Sequence, residues 1–470
     1  MITASTLPLV SLIIPTYNRC VLLRQTVASA LAQTYPALEI IVVDDGSTDG
    51  TVEWLASYTG RIMVVQQANQ GVAAARNHGF HLAHGEYFTF LDDDDLIAPT
   101  KIARQVAHCH HHPDVGLVHC GYAKGDSTGH LLENIWLWPP ADNLAQLLES
   151  NFIWMGAPLI RRDWLERVGG FDASPEHDLH SCADWDLWLR LALAGCPFAT
   201  VPEPLGTYRL QPDSMVTNLA RLEEELLTVL RLTLANAALP ARLAAAKPLA
   251  YAQMHLWLSA RGLAGGQSEA ATHHLVQALH YHPLWREQPE TLLPLLRGHA
   301  LDARVTDPPQ FMADLLAHLP GEADFLRPHQ PWLMAYAHLG LALRQQAGGY
   351  ITKAETEFAA ALQVYPSLPH HPNDLAPFLT QYALSLPVAD PVEFAAAVLS
   401  HLPIPPPAVR PILGDVALGW AFQGYFAGEE RAVPRRVLAA WRYRPTLLKN
   451  RGSLAILLKS FRHQRGDHHV

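Results

Sequence analysis

The stretch that decides the fold reads GEYFTFLDDDD, residues 85–95. Its aromatic and apolar part, Tyr87 to Leu91, has the composition of a buried β-strand. Four carboxylates follow directly, so they stand where that strand ends. In an open α/β sheet, ligands bind at this carboxyl edge. Adjacent carboxylates repel one another unless a positive group shares the site, and Mg²⁺ or Mn²⁺ prefers oxygen ligands. The stretch therefore indicates either a divalent-cation site or a solvated acidic turn.

The composition is that of a large globular chain. Its 470 residues suggest two or three domains, and 49% hydrophobic against 17% charged residues argues against disorder. The net charge of -10 disfavours binding to nucleic acid or to an acidic membrane surface. Five scattered cysteines without a C-x-x-C pair fit a reducing compartment.

No signal-peptide pattern and no transmembrane segment is predicted, because no run of about 18 uninterrupted apolar residues occurs. The expected location is therefore the cytoplasm, with peripheral attachment to the membrane as an open alternative.

Strands and helices alternate before the acidic stretch. We predict strands at residues 10–14, 39–43 and 62–65, each followed by a polar loop and then a helix. Such alternation predicts a mostly parallel sheet with helices on both faces. Polar or acidic residues end each strand, so one edge of the sheet collects them.

The first half of the chain resembles the family 2 glycosyltransferases, whose catalytic domain has the GT-A nucleotide-sugar-binding fold. The matching pieces occur in the order of that family across roughly residues 8–215. Seven motifs in the same order are a specific signal, whereas a single motif would be a weak one. They are Val10–Arg19, Val42–Asp49, Asn69–Gly71 with Ala75–Asn77, Gly85–Leu96, Val168–Asp172, Ala183–Arg190 and Tyr208–Arg209. The resemblance implies an α/β catalytic domain of GT-A type over residues 1–220, followed by an all-α domain.

The resemblance also implies where the nucleotide-sugar binds. Tyr17 would stack on a base, and Asp45 would accept a hydrogen bond from a base N–H, although it could instead cap the next helix. Arginines would hold phosphate oxygens in bidentate fashion, with surface ion pairs as the alternative. The full set of implied nucleotide-sugar-binding residues is Pro15, Tyr17, Arg19, Asp45, Arg76, Asp93 and Arg209.

Asp92-Asp93-Asp94 matches the D-x-D signature of the family. The resemblance makes Asp94 and Asp92 the metal ligands, with Mn²⁺ or Mg²⁺ neutralising charge on the departing nucleoside diphosphate. Asp93 would reach the ribose or the sugar. Asp95 would support the loop from behind or cap a helix.

Asp184 aligns with the general base of the inverting members of the family. Asp186 is the rival carboxylate, two residues later on the same predicted helix. Many relatives have Glu-Asp where this chain has Ala183-Asp184, and a His shortly after the arginine where this chain has Leu210-Gln211. The second departure puts the phosphate contact of Arg209 in question.

Residues 221–470 are predicted to be α-helical, with a subdivision near residues 320–330. Three segments share a helix–turn–helix layout: 251–283, 335–366 and 415–445. They are similar to tetratricopeptide hairpins, which stack into concave surfaces for large partners. An irregular helical domain is the alternative.

The leading hypothesis is a metal-dependent, inverting hexosyltransferase. Its donor is a nucleotide-sugar, with a UDP-sugar as the commonest case in the family, and its acceptor is a hydroxyl of a glycan, a lipid-linked glycan or a protein. The helical half would bind the acceptor or another protein. The alternative is a weakened transferase-like domain that acts as a nucleotide-sugar-binding scaffold. A sugar-nucleotide pyrophosphorylase is disfavoured because residues 10–19 contain no glycine.

Overall fold

The computed structural model of this protein describes residues 7–58, 60, 62–211, 218–429 and 431–466. Its contacts divide the chain into two compact units. The first comprises Met1–Leu131, Ile135–Arg261 and His280–His282, and the second comprises Leu132–Asn134, Gly262–Leu279 and Pro283–Val470. The boundary near residue 220 was predicted from the end of the strand–helix alternation, whereas the first compact unit continues to Arg261.

The first unit is built on a mixed β-sheet. Within the described residues, strands β1 to β6, β8 and β9 pair in the order β3-β2-β1-β4-β8-β6-β9-β5. The pairs among β1, β2, β3 and β4 are parallel, whereas β8 runs antiparallel to β4 and β6. The strands are β1 Val10–Thr16, β2 Leu38–Asp44, β3 Met63–Gln66, β4 Tyr87–Phe90, β5 Leu96–Ile97, β6 Leu117–Gly125, β7 Leu131–Ile135, β8 Leu159–Arg161 and β9 Phe198–Arg209.

The register of the parallel strands brings their carboxyl ends to one edge. Thr16 at the end of β1 lies opposite Asp44 at the end of β2. Ile13 of β1 lies opposite Phe90, the last residue of β4. The loops that follow these strands therefore emerge side by side, as parallel pairing requires.

Helices pack closely on this sheet. Gly79 lies in the helix Val72–Leu82, and a Cβ at this position would lie 2.7 Å from Ile13 Cγ2 and 3.2 Å from Val43 Cγ2. Only glycine therefore lets this helix approach β1 and β2 so closely. The helices up to residue 244 are α1 Cys20–Leu31, α2 Thr51–Leu55, α3 Val72–Leu82, α4 Lys101–His111, α5 Asn143–Glu149, α6 Arg162–Val168, α7 Ala183–Leu193, α8 Leu219–Leu234 and α9 Ala241–Ala244.

The rest of the chain is helical, as predicted. Next come α10 Lys247–Ala264, α11 Ser268–Tyr281, α12 Leu284–Glu287, α13 Pro289–Ala300, α14 Pro308–Ala317, α15 Gln330–Ala347, α16 Ile351–Val364, α17 Pro372–Ser385, α18 Pro391–Ser400, α19 Pro406–Phe426, α20 Val433–Tyr443 and α21 Arg451–Gly466. Short 3₁₀ segments occupy Gly321–His329, Leu368–His370 and Pro445–Lys449.

The clearest predicted hairpin is present in the second unit. Helices α15 and α16 are joined by a turn in which Gly349 takes a φ of 80°, a conformation that favours glycine. Tyr336 of α15 and Phe358 of α16 are buried in one apolar core together with Phe378 of α17. Whether such hairpins form a regular tetratricopeptide-like array stays a prediction.

The fold class is thus confirmed: a GT-A-like α/β sheet with helices is followed by a large helical region. The sheet is mixed: β6 and β9 also pair in parallel, whereas the pairs β4–β8, β6–β8 and β5–β9 are antiparallel. Across the described ranges, the helices are all too short or too polar to span a bilayer.

Candidate active site

The four aspartates after β4 divide into two inward-facing and two outward-facing side chains. Thr16 Oγ1 donates to Asp93 Oδ2 at 2.7 Å, and the Trp154 indole donates to Asp95 Oδ2 at 2.7 Å. The side chains of Asp92 and Asp94 remain 31% and 16% exposed. Asp93 and Asp94 lie in a turn, in which the backbone N–H of Asp95 donates to the carbonyl of Asp92 at 3.1 Å. The two predicted metal ligands are therefore the outward pair.

Crowding and burial disfavour negative charge in this loop. Burial raises the pKa of Asp93 to about 7, with the Asp94 carboxylate adding to the effect and the Arg19 guanidinium opposing it. Burial and the Asp92 carboxylate also raise the pKa of Asp94. Burial holds the pKa of Asp95 well above its usual range. A cation brought among these groups would favour their ionised forms.

Two predicted arginines, from different elements, bind the carboxylates of the acidic loop. Arg19, in the loop after β1, forms a short ion pair with Asp94 and a 3.4 Å contact with Asp93. Arg76 of α3 donates from Nη2 to Asp92 Oδ1 at 2.6 Å, and its guanidinium lies 5.2 Å from the centroid of the Phe171 ring. The alternative of surface ion pairs does not describe Arg76, which is only 4% exposed.

The predicted nucleoside residues lie in the loops after β1 and β2. The ring of Tyr17 is 47% exposed and leaves a face for stacking, whereas Pro15 is buried within β1. Asp45 is buried and holds the segment before α3. Its Oδ1 accepts from Gln67 Nε2 at 2.8 Å, and its Oδ2 accepts from the backbone N–H of Gly71 at 2.9 Å. Asp45 thus shapes this loop rather than capping the helix that follows it.

The two carboxylates of α7 have different surroundings. Asp186 is buried and pairs with Arg190 at 2.7 Å, one turn later in the helix. Asp184 Oδ1 instead accepts from the backbone N–H of Trp185 at 2.7 Å, and the charges of Arg76 and Asp92 both act on its pKa. Burial raises the pKa of Asp184 to about 6, and the Arg76 guanidinium opposes this rise. Burial also raises the pKa of Asp186, but the charge that opposes this rise is that of Arg190, whereas Arg76 and Asp92 act on Asp184.

Arg209 lies behind the acidic loop rather than in front of it. Its side chain is 1% exposed, and its Nε donates to the backbone carbonyl of Asp94. Nη1 donates to the Gln25 side chain of α1, and the backbone N–H donates to Asp95 Oδ1 at 2.9 Å. These bonds tie β9 and α1 to the loop. The contact of Arg209 with a diphosphate stays a prediction.

Sequence reasoning did not single out Thr16 and Trp154 as parts of the site. A polar residue at the end of β1 is a signal that could have found Thr16, because the neighbouring strands also end in polar residues. Trp154 lies 59 residues from Asp95 along the chain, and no local pattern connects them. Their hydrogen bonds decide which carboxylates turn inward.

The residues at this edge suit a hard divalent cation. Asp92 and Asp94 offer carboxylate oxygens, which are the ligands that Mg²⁺ and Mn²⁺ prefer. Both already bind guanidinium groups, so the site tolerates positive charge at these oxygens. The raised pKa of Asp94 is a second reason that a cation would be bound favourably.

Comparison with solved structures gives likenesses of low similarity. A mannosyltransferase from Pyrobaculum calidifontis, solved in complex with GDP-Man and Mn²⁺, is 21% identical, with a TM-score of 0.42 over 66% of this chain and 87% of that chain. S. aureus TarS residues 1–349 are 16% identical, with a TM-score of 0.39 over 73% of this chain and 91% of that chain.

Sequence comparison gives relatives of higher identity. An uncharacterised glycosyltransferase of Rickettsia typhi is 36% identical over 192 residues, which are 39% of this chain and 58% of that protein. The chain thus spans little more than half the length of this relative. The putative teichuronic acid biosynthesis glycosyltransferase TuaG of Bacillus subtilis is 32% identical over 215 residues, 45% of this chain and 82% of that protein. The family model for glycosyl transferase family 2 matches residues 11–169, which include the acidic loop and both of its arginines. This chain therefore belongs to glycosyl transferase family 2.

Proposed function

We propose that this protein is a metal-dependent, inverting glycosyltransferase of the hexosyltransferase class. It transfers a sugar from a nucleotide-sugar, of which a UDP-sugar is the first candidate, to an acceptor hydroxyl. One observation carries the proposal. The guanidinium groups of Arg19 and Arg76 contact the Asp94 and Asp92 carboxylates at the carboxyl edge of the sheet, which suits a diphosphate with a cation, and the Arg76 charge also acts on the pKa of the proposed base Asp184.

In the proposed reaction, Asp184 accepts the proton of the acceptor hydroxyl. The acceptor oxygen forms a bond to the anomeric carbon as the bond from that carbon to the diphosphate oxygen breaks. Attack from the opposite face inverts the anomeric configuration. A carboxylate whose pKa lies near the working pH both accepts the proton readily and releases it after the transfer.

Arg19 and Arg76 hold the diphosphate through bidentate hydrogen bonds, for which the planar guanidinium is suited. They change partner from the loop carboxylates to the phosphate oxygens as the donor binds. Tyr17 stacks on the base, and Pro15 and Asp45 shape the nucleoside pocket. Asp93 supports the sugar side of the site through its fixed position against Thr16.

Asp92 and Asp94 would hold Mn²⁺ or Mg²⁺, which when bound supplies Lewis-acid stabilisation of the charge on the leaving diphosphate. The remaining assignments concern the whole protein. The acceptor is a glycan, a lipid-linked glycan or a protein, bound with the help of the helical unit. The enzyme works in the cytoplasm, either free or attached to the membrane surface. The scaffold alternative is less favoured because the carboxylates and arginines of the site are retained.

A hydrolysis and binding assay with a panel of nucleotide-sugars tests the proposal. Nucleoside diphosphate release is measured with Mn²⁺, with Mg²⁺ and with EDTA, for the native protein and for Asp94→Asn. Release that needs the cation and is lost in the variant supports the proposal. The anomer of the transferred sugar, read by proton NMR, distinguishes inversion from retention. A protein that neither binds nor cleaves any member of the panel would refute it.

A further inference from the structure

A buried carboxylate from α8 binds the chain where α7 begins. Glu225 is 3% exposed, and its Oε2 accepts from the backbone N–H of Ser181 at 2.6 Å and of Cys182 at 3.1 Å. Helix α7 starts at Ala183, so these two amides belong to the turn that leads into it. Asp184 is the second residue of that helix. A residue outside the predicted catalytic domain therefore binds the backbone next to the proposed base.

A second contact from α8 fixes the same segment further back. Arg221, one turn before Glu225, donates from Nη2 to Asp178 Oδ2 at 3.1 Å and from Nε to Glu225 Oε1 at 3.2 Å. Asp178 has a φ of 46°, in the left-handed region. That conformation is uncommon for a residue other than glycine and needs support from its surroundings. Arg221 and Glu225 together bind both ends of the segment 178–182.

The chemistry of the contact favours a well-defined geometry. The N–H groups at the start of a helix have no acceptor within the helix, and a carboxylate there is also favoured by the helix dipole. Caps of this kind usually come from the residue just before the helix. Here the acceptor lies 43 residues from Cys182 along the chain. Glu225 is buried as well, and a buried carboxylate is stable only with such partners. The orientation of the first turn of α7 thus depends on the position of α8.

We propose, on the basis of the function proposed above, that Glu225 is a positioning residue for catalysis. It holds the turn at Ser181 and Cys182, and this turn sets the direction in which the Asp184 carboxylate points. Glu225 itself does not contact the substrate. A displacement of about 1 Å in a catalytic group can lower a rate about 100-fold, so loss of this contact acts mainly on turnover.

The test compares three variants with the native full-length chain. Glu225→Ala removes the acceptor. Glu225→Gln keeps one side-chain oxygen that can accept both backbone N–H bonds. Glu224→Ala is the matched control, because Glu224 is the exposed neighbour on the same helix. Each variant is measured for thermal stability, for affinity to UDP with Mn²⁺, for kcat and KM with the nucleotide-sugar that the native enzyme cleaves, and for amide hydrogen exchange.

We expect Glu225→Ala to lower kcat by about 10–100-fold while the KM for the donor and the affinity for UDP change less than about threefold. Glu225→Gln should regain most of the lost turnover, and Glu224→Ala should match the native enzyme. The amides of Ser181 and Cys182 should exchange at least about tenfold faster in Glu225→Ala, because they lose their acceptor.

Two results would overturn the proposal. Native-like exchange at Ser181 and Cys182 in Glu225→Ala would show that the contact does not hold the turn, whatever the activity. Faster exchange with an unchanged kcat would make Glu225 a structural cap alone. An inactive native enzyme is a different outcome. It would refute the proposed function and with it the catalytic consequence, and the exchange data would still report on the contact.

Discussion

The pKa of Asp184 makes a quantitative prediction about pH. A general base must be ionised to accept a proton, so turnover should rise with pH through the pKa of that base. Burial raises the pKa of Asp184 to about 6 from an ordinary value of 3.8. Asp184→Asn removes the base while keeping the shape of the side chain. We expect this variant to lose about 100-fold or more in kcat and to lose the dependence on pH below 7.

The size of the effect follows from the titration. With a pKa of about 6, the ionised fraction of Asp184 is about 0.91 at pH 7 and about 0.09 at pH 5, a tenfold fall in rate. An aspartate with the ordinary pKa of 3.8 would stay more than about 90% ionised at pH 5 and would give almost no fall. The fall in kcat between pH 7 and pH 5, which is the acid limb of the plot of kcat against pH, therefore distinguishes a buried base from an exposed one.

The Arg76 guanidinium lowers the pKa of Asp184, against the larger effect of burial. Arg76→Met should therefore move the acid limb to higher pH, in addition to weakening donor binding. Asp186→Asn is the matched control, because Asp186 lies on the same helix but pairs with Arg190. It should leave the midpoint of the limb unchanged.

The assay is kcat against pH from 4.5 to 8 at saturating donor and cation, with thermal unfolding at each pH to confirm the fold. The folded state binds a proton on Asp184 more tightly than the unfolded chain, so this group contributes less stability as pH rises through the window from 3.8 to about 6. Asp184→Asn should accordingly unfold at the same or a higher temperature at pH 7. A flat acid limb in the native enzyme, or a variant that keeps its turnover, would refute the assignment.

Three further predictions concern the metal site and the core. Asp94→Asn should abolish cation-dependent binding of UDP in calorimetry, and binding that survives EDTA in the native protein would argue against a metal site. Burial lowers the pKa of Lys101 to about 8, so the charged form of this side chain destabilises the fold at pH 7. Lys101→Met should therefore raise the free energy of unfolding at pH 7 by about 1–3 kcal/mol, as measured in urea. The variant should also lack the rise in the free energy of unfolding that we expect for the native protein between pH 8 and 10.5. A Cβ on Gly85 would lie 2.3 Å from Ser11 Oγ, so Gly85→Ala should lower the free energy of unfolding in urea by about 1–3 kcal/mol. Gly298→Ala is the control, because a Cβ there meets no atom of the described residues within 4 Å, and it should not lower the free energy of unfolding.

Local patterns in the sequence were enough to place strands β1, β2 and β4 and the polar residues that follow them. The apolar runs of β1 and β2 and the aromatic run of β4 are each followed by polar residues, and parallel pairing brings such ends to one edge. The acidic loop at Asp92 to Asp95, the helix that carries Asp184 and the helical second half could all be predicted in this way. Each depends on residues that are neighbours in the chain.

The tertiary structure decided how these side chains are oriented and which partners they bind. Asp93 and Asp95 turn inward because Thr16 and Trp154, 77 and 59 residues away in the chain, donate hydrogen bonds to them. Arg209 is directed behind the loop by its bonds to α1 and to the loop backbone, although its motif predicted a phosphate contact. Such hydrogen bonds join residues that are far apart in sequence, and no periodicity or spacing encodes them.

The preference for Asp184 over Asp186 has the same origin. Both carboxylates stand in the first turn of α7, and the family resemblance alone made Asp184 the predicted base and Asp186 its rival. Asp186 pairs with Arg190 four residues on, a contact that helical spacing allows. The charges of Arg76 and Asp92 act on the pKa of Asp184, and the Glu225 carboxylate binds the backbone just before its helix. These partners come from three other parts of the chain, and only folding brings them together in the low-dielectric interior where their charges act strongly.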